Sequence, residues 1–316
     1  MLIRFLKICF IAATLVFSVP IYVYAHQEIE HIVVFGDSLS DPGNAFALTG
    51  AESTPPYLLI PEAAYAIGGH HFSNGKTWVE VFAKKLDQKS KPAFANLKYT
   101  NFAVGGSRAR NEGRVNLSTQ VAAFLSSRRG DWYEDSEDEV LYVLFIGGND
   151  IRDAIVALAT DPTGASSGLI IQQALLSVGD NLAALIQADA DRFLIVNVPD
   201  LSLTPAVRLQ GPGAQFAANF LSVQYNQGLA QLINGYQLAY PIEVTEFDLF
   251  SLFTSLALNQ EKLKLIETEN SCITPGVIEG AVCKKPNKYL FWDGIHPTKR
   301  VHKFIGKYAS DFYDDD

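Results

Sequence analysis

The chain has 316 residues, 48% hydrophobic and 19% charged, which is enough apolar material for a large core and too much for a disordered polypeptide. Its 25 Lys and Arg face 34 Asp and Glu, a net charge of −9, and this excludes the basic face that a nucleic-acid backbone requires. The long uninterrupted apolar run is confined to the N-terminus, which also argues against an integral membrane protein.

That N-terminus reads as a secretory signal. Arg4 and Lys7 form a positive n-region, Ile8 to Val19 an apolar h-region, and Val23-Tyr24-Ala25 a cleavage site before His26. An uncleaved membrane anchor is the alternative. The expected mature chain is 26–316, exported to the periplasm or beyond, and Cys9 leaves with residues 1–25. The acidic run Glu134 to Glu139 and the tail Asp314 to Asp316 read as solvated surface.

Short apolar, β-branched runs follow at His31 to Phe35, Leu97 to Phe102, Val140 to Ile146, Phe193 to Val198 and Ile242 to Phe247. Several lack alternation, as parallel strands covered on both faces should. Helical periodicity runs through Lys76 to Leu86, Gly168 to Ala188, Ala214 to Ile233 and Lys299 to Tyr313. Strand and helix alternate, and no linker or repeat divides the chain. The expectation is one α/β domain over 26–316, a three-layer α/β/α, doubly wound, mostly parallel five-stranded sheet. Gly50 to Phe72 and Asn259 to Lys288 break the rhythm and read as long excursions that shape a ligand crevice.

Four blocks carry chemistry. Phe35-Gly36-Asp37-Ser38-Leu39-Ser40-Asp41 follows the first strand, which places Ser38 on a backbone-held turn at the carboxyl end of the sheet. Asn101 to Ser107, with the pair Gly105-Gly106, follows the second; Gly147-Gly148-Asn149-Asp150 follows the third; Asp293-Gly294-Ile295-His296-Pro297 stands near the C-terminus. A serine hydroxyl needs a base to attack an ester carbonyl, and His296 is the candidate. Asp293, three residues earlier, is placed to bond the far imidazole nitrogen and fix its tautomer. An oxyanion needs donors already in position, and the backbone N–H of Ser38, a backbone N–H of the glycine pair and the Asn149 amide are offered. Asp37 and Asp150 read as acceptors that hold the turns. His70 and His71 are adjacent, but no acid or cysteine stands at metal-ligand spacing, so no metal and no cofactor is expected.

In order and in extent, these blocks resemble those of the GDSL, or SGNH, hydrolase family, which implies the flavodoxin-like SGNH fold and the triad Ser38, Asp293, His296. Counting five positions from Asn101, as the family's second block does, selects Gly106 for the oxyanion hole beside Ser38 and Asn149, with Gly105 as fallback. The longer form Phe-Gly-Asp-Ser-Leu-Ser-Asp-x-Gly-Asn, present as Phe35 to Asn44, is similar to the secreted bacterial branch of phospholipases, lysophospholipases and glycerophospholipid:cholesterol acyltransferases.

The expected substrate is therefore a carboxyl ester of a lipid, met in solution or at a membrane surface, with no nucleic acid and no obligate protein partner. Pro55 to Pro61, and the stripe Phe247, Phe250, Phe253, Leu256, are candidates for an acyl-chain groove, although the stripe also fits a core-facing helix. A carbohydrate acetylesterase, with a more polar, aromatic cleft, and a non-catalytic binding module on the same fold are the alternatives. Cys272 and Cys283, the two cysteines left in an exported chain with no further ligands nearby, are expected to form a disulfide that restrains the segment leading to Asp293 and His296.

Overall fold

The computed structural model describes residues 29–96, 98–127 and 140–315; the signal segment 1–25, the acidic run 134–139 and the last acid, 316, lie outside the described residues. In chain order the elements are β1 (His31–Gly36), α1 (Asn44–Thr49), β2 (Glu52–Ser53), β3 (Ala64–Tyr65), α2 (Trp78–Lys85), α3 (Leu117–Ser127), β4 (Val140–Phe145), α4 (Gly148–Ala157) and α5 (Ala165–Ile186). They continue with β5 (Arg192–Val196), α6 (Pro205–Arg208), α7 (Pro212–Ala239), β6 (Glu243–Phe247), α8 (Leu249–Leu258), β7 (Glu267–Ser271), β8 (Tyr289–Phe291) and α9 (Lys299–Asp315).

The main sheet is parallel throughout, in the order β1-β4-β5-β6. Side chains alternate across it. Val33, Phe35, Tyr142, Leu144, Phe193 and Ile195 point into a core shared with α3, α4, α5 and α7. Ile32, Val34, Leu141, Val143, Leu194 and Val196 point into a second core beneath α2, α8 and α9. With both faces buried, the middles of β1, β4 and β5 read as unbroken apolar runs, whereas the edge strand β6 exposes Glu243 and Glu246. Helix α9 shows the complementary pattern, with Val301, Ile305 and Ala309 four residues apart along one buried stripe.

The expected fifth strand over 97–102 forms only isolated bridges, Asn101 with Val34 and with Pro92, so the sheet has four strands among the described residues. Its backbone starts a parallel ladder, Val34 N–H to Thr100 O (2.9 Å) and Phe102 N–H to Val34 O (2.7 Å). Val104 N–H continues it to Gly36 O (3.2 Å), and side-chain amides supplement it. Gln120 accepts from Gly36 N–H (2.9 Å) and donates to Gly36 O (2.8 Å), while Asn44 Nδ2 donates to the carbonyls of Asn101 and Ala103. Buried peptide groups must be paired, and here side-chain amides fill the places the backbone ladder leaves open.

The two excursions meet each other. Tyr57 and Tyr65 from the first pack with Cys272, Ile273 and Ala281 from the second, and with Trp292, as a small satellite core. Cys272 and Cys283 are joined by a disulfide, Cα to Cα 4.9 Å. His70 and His71 diverge: His70 pairs with Glu52, and His71 Nε2 with Glu80 (2.8 Å), whose carboxylate also closes the capping box of α2 with Thr77.

Candidate active site

All four strands end at one edge, and Gly36 is in register with Phe145, so the turns that follow β1 and β4 begin side by side. After β1, Asp37 O accepts from Ser40 N–H (3.1 Å) and Asp37 Oδ1 from Leu39 N–H (3.0 Å), which holds Ser38 at the bend. After β4, Gly147 adopts φ 124°, and a Cβ there would stand 2.3 Å from the Tyr225 ring, so only glycine fits. The chain turns there directly into α4, whose first turn carries Asn149 and Asp150.

Between these turns lies the 101–110 loop. Asp150, fully buried, accepts from Ala109 N–H (2.7 Å), and Asn149 Nδ2 donates to Ser107 O (2.9 Å). An amide nitrogen has two hydrogens, so this bond orients Asn149 and leaves a second donor. Gly105 N–H donates to Asp41 Oδ2 (2.8 Å) and is thereby engaged, whereas Gly106, at φ 80°, forms no backbone N–H bond among the described residues. The structure thus separates the two glycines that spacing left open. Asp41 also accepts from Gly43, Asn44 and Ala45, so one carboxylate ties the Ser38 block to the glycine pair. Burial pushes Asp37, Asp41 and Asp150 each up to about 6, against the backbone N–H groups that favour the ionised form.

The late loop arrives from outside the main sheet. It follows β8, which pairs with β7. His296 Nδ1 lies 2.9 and 2.8 Å from Asp293 Oδ1 and Oδ2, and Nε2 lies 2.8 Å from Ser38 Oγ, 258 positions away in the chain. An ionised carboxylate only accepts, so Nδ1 carries the proton and Nε2 accepts from the serine hydroxyl. Ser38, Asp293 and His296 are all buried.

The sequence model of the family described as GDSL-like Lipase/Acylhydrolase matches residues 32–309. The chain belongs to that family. This GDSL hydrolase is 24% identical over 297 residues to the thermolabile hemolysin of Vibrio parahaemolyticus, covering 89% of this chain and 63% of that longer protein. It is 24% identical over 342 residues to the phosphatidylcholine-sterol acyltransferase of Aeromonas hydrophila, covering 91% of each. Among solved structures, an extracellular lipase from Streptomyces rimosus aligns over 90% of this chain and 98% of its own at 14% identity, with a TM-score of 0.45. As a GDSL family member the chain is a carboxylic ester hydrolase.

Several residues of the GDSL site lack any local signal. Tyr65 donates from its hydroxyl to Asp293 Oδ2 (3.0 Å) across 228 positions, and burial beside that carboxylate raises its pKa. The Phe72 ring lies against the His296 imidazole, centroids 5.5 Å apart. Gln120 donates to Ser107 Oγ (3.0 Å) as well as bracing Gly36. Asp41 was within reach of sequence reasoning, as the last acid of the first block.

Ser38, Asn149 and His296 open onto a narrow cavity of about 80 Å³ that is continuous with solvent. Its walls are largely apolar: Ile155 and Val156 from α4, Val198, Leu201 and Val207 from the segment after β5, and Ile60. Of the two stretches proposed as a groove, only part of one contributes. Ile60 reaches the cavity, while Tyr57 packs in the satellite core and Leu58 faces solvent. Phe247 is buried at the end of β6, Phe253 and Leu256, three apart, lie on the face that α8 turns to the core, and Phe250 is half-buried outside it.

Proposed function

We propose that this GDSL hydrolase is an exported serine esterase, one domain over 26–316, that cleaves carboxyl esters of lipids without a cofactor. The observation that carries the reading is the Ser38 Oγ to His296 Nε2 hydrogen bond, 2.8 Å, at the floor of a largely apolar cavity. Ser38 Oγ attacks the ester carbonyl as its proton passes to His296 Nε2, and Asp293 stabilises the imidazolium through Nδ1–H. The resulting oxyanion is received by the N–H groups of Ser38 and Gly106 and the free hydrogen of Asn149. As the C–O bond of the alcohol breaks, His296 returns the proton to the leaving oxygen. Water, deprotonated by His296, then attacks the acyl-serine, releases the fatty acid and restores the hydroxyl; a second alcohol in place of water gives acyl transfer.

The apolar walls favour an acyl chain over an acetylated sugar, which would call for polar and aromatic groups. The names of the hemolysin and the sterol acyltransferase lend support from relatives. The test is a panel of phospholipids, lysophospholipids, p-nitrophenyl esters and acetylated sugars, with and without sterol, together with a serine-directed phosphonate. Turnover of lipid esters and a label on Ser38 alone are expected. Turnover confined to acetylated sugars, or a label on another serine, would refute the proposal.

A further inference from the structure

Helix α4 turns one face to the cavity. Asn149, Arg152 and Ile155 are spaced three apart, so their side chains stack one turn above another along the wall. Arg152 is thus the cation of that wall, one turn below the proposed oxyanion donor.

Its surroundings differ from those of the arginines close by. Arg108 is held by both oxygens of Asp153 (2.5 and 3.1 Å), and Arg110 by Asp153 (2.6 Å) and Glu112 (2.8 Å), with Asp150 at 3.4 Å. Arg152 has no hydrogen bond or ion pair among the described residues. Asp153 and Asp37 both lie within its field, but Asp153 is committed to the other two arginines and Asp37 to the turn at Leu39. Burial holds its guanidinium below the usual range, with the repulsion of Arg108 adding to the effect. A partly desolvated guanidinium with its donors unspent, in a wall made largely of Ile, Val and Leu with Thr204 and Gln210 among them, is suited to an anion presented by an amphiphile.

We propose that Arg152 is a specificity-determining residue whose guanidinium receives the phosphate of a lipid ester while the ester carbonyl sits at Ser38. This inference rests on the lipid-ester reading and deepens it. In a glycerophospholipid only the glycerol backbone separates ester carbonyl from phosphate, a span comparable to the one helical turn between Asn149 and Arg152. Guanidinium suits the task because its planar fork meets two phosphate oxygens at once.

The experiment compares kcat/KM of the mature protein for a lysophospholipid and for the monoacylglycerol with the same acyl chain, both in neutral-detergent micelles. Arg152→Gln should lower the ratio of the two by about 10- to 100-fold, chiefly through KM, and Arg152→Lys should restore part of it. Arg152→Met, which keeps the apolar stem, should behave as Arg152→Gln, and thermal melts establish that the variants are folded. Inorganic phosphate is titrated as a competitor in parallel. A ratio unchanged in folded variants overturns the assignment, including where inorganic phosphate inhibits the parent and not the variant, since that marks a site for free phosphate. An equal fall in kcat for both esters also overturns it, by making Arg152 part of the chemistry. Hydrolysis that survives Ser38→Ala overturns the lipid-ester reading together with it, whereas Ser38-dependent hydrolysis with an unchanged ratio overturns the Arg152 assignment alone.

Discussion

The two halves of the proposed site are anchored by different means. Ser38 and Asn149 stand on turns leaving adjacent strands of a sheet whose two faces are both buried, so their positions follow from the registration of β1 with β4. Asp293 and His296 stand on a loop outside that sheet, steadied by a satellite core of six buried residues. Its backbone is tied to the disulfide loop: Cys272 N–H donates to Phe291 O (3.1 Å), Ile273 N–H to Trp292 O (2.8 Å), and Trp292 N–H to His296 O (2.7 Å). Either side of the loop, Leu290 and Phe291 of β8 and Val301 of α9 are buried in the second core, and the Cys272–Cys283 bond and the Tyr65 hydroxyl add constraints to the loop itself. A two-part site therefore joins a nucleophile held by the global fold to a base held by local fastenings.

The comparison can be broken first at its firm end. Ser38→Ala should lower kcat by roughly 10⁵- to 10⁶-fold while the melting temperature stays near that of the parent, because the removed atom forms the acyl-enzyme and supports no packing. Asn149→Ala should lower kcat by about 100- to 1000-fold with a smaller change in KM, the usual loss of one oxyanion donor, read from steady-state kinetics. At the fastened end, Cys272→Ser with Cys283→Ser should cost about 2 to 3 kcal/mol of unfolding free energy, measured by denaturant titration, and should lower turnover with it. A double variant as stable and as active as the parent would mean that the satellite core suffices.

Acid sharpens the contrast. His302 on α9 is buried and accepts from Trp78 N–H at Nδ1 (3.2 Å); burial, with His296 and His71 nearby, pushes it down to about 3. With the folded value below the unfolded one, its contribution is complete above about 6.5 and is lost as pH falls towards 3. Asp37, Asp41 and Asp150, pushed up to about 6, act oppositely: their stabilising contribution is present below about 4 and is lost as pH rises through 6. His302→Asn, whose Oδ1 can replace Nδ1 as acceptor, should therefore gain about 2 kcal/mol relative to the parent between pH 7 and pH 5, followed by denaturant titration at each pH. The smallest effect is expected of Tyr65→Phe. Loss of its bond to Asp293 should lower kcat/KM by about 3- to 10-fold and leave phosphonate labelling confined to Ser38.

Much of this molecule is local in origin. Strands covered on both faces favour apolar side chains, which marks β1, β4 and β5, while the edge strand β6 alternates exposed Glu243 and Glu246 with inward residues, and the excursions are marked by the loss of period. The expected run over 97–102 makes only bridges, because beyond Val34 its backbone bonds go to Lys91 and Ala93 and to the Asn44 side chain, a partner from a distant segment that the run's own apolar pattern does not announce. Ser38, Asn149, Asp293 and His296 are recognisable as chemical types in short blocks, each legible because a turn needs its glycine and its acceptor within a few residues. Whether Gly105 or Gly106 has a free amide depended on Asp41 reaching across 64 positions, and the Phe247 to Leu256 stripe became core only when α8 met the sheet. The sequence by itself therefore determined the strands, the turns and the kinds of reactive group. Tertiary structure alone decided which donors are spent and which remain: Tyr65 on Asp293, Arg108 and Arg110 on Asp153, and Arg152 without a partner among the described residues. The reason is physical, since a hydrogen bond or ion pair depends on distance in space, and chain separation carries no record of it.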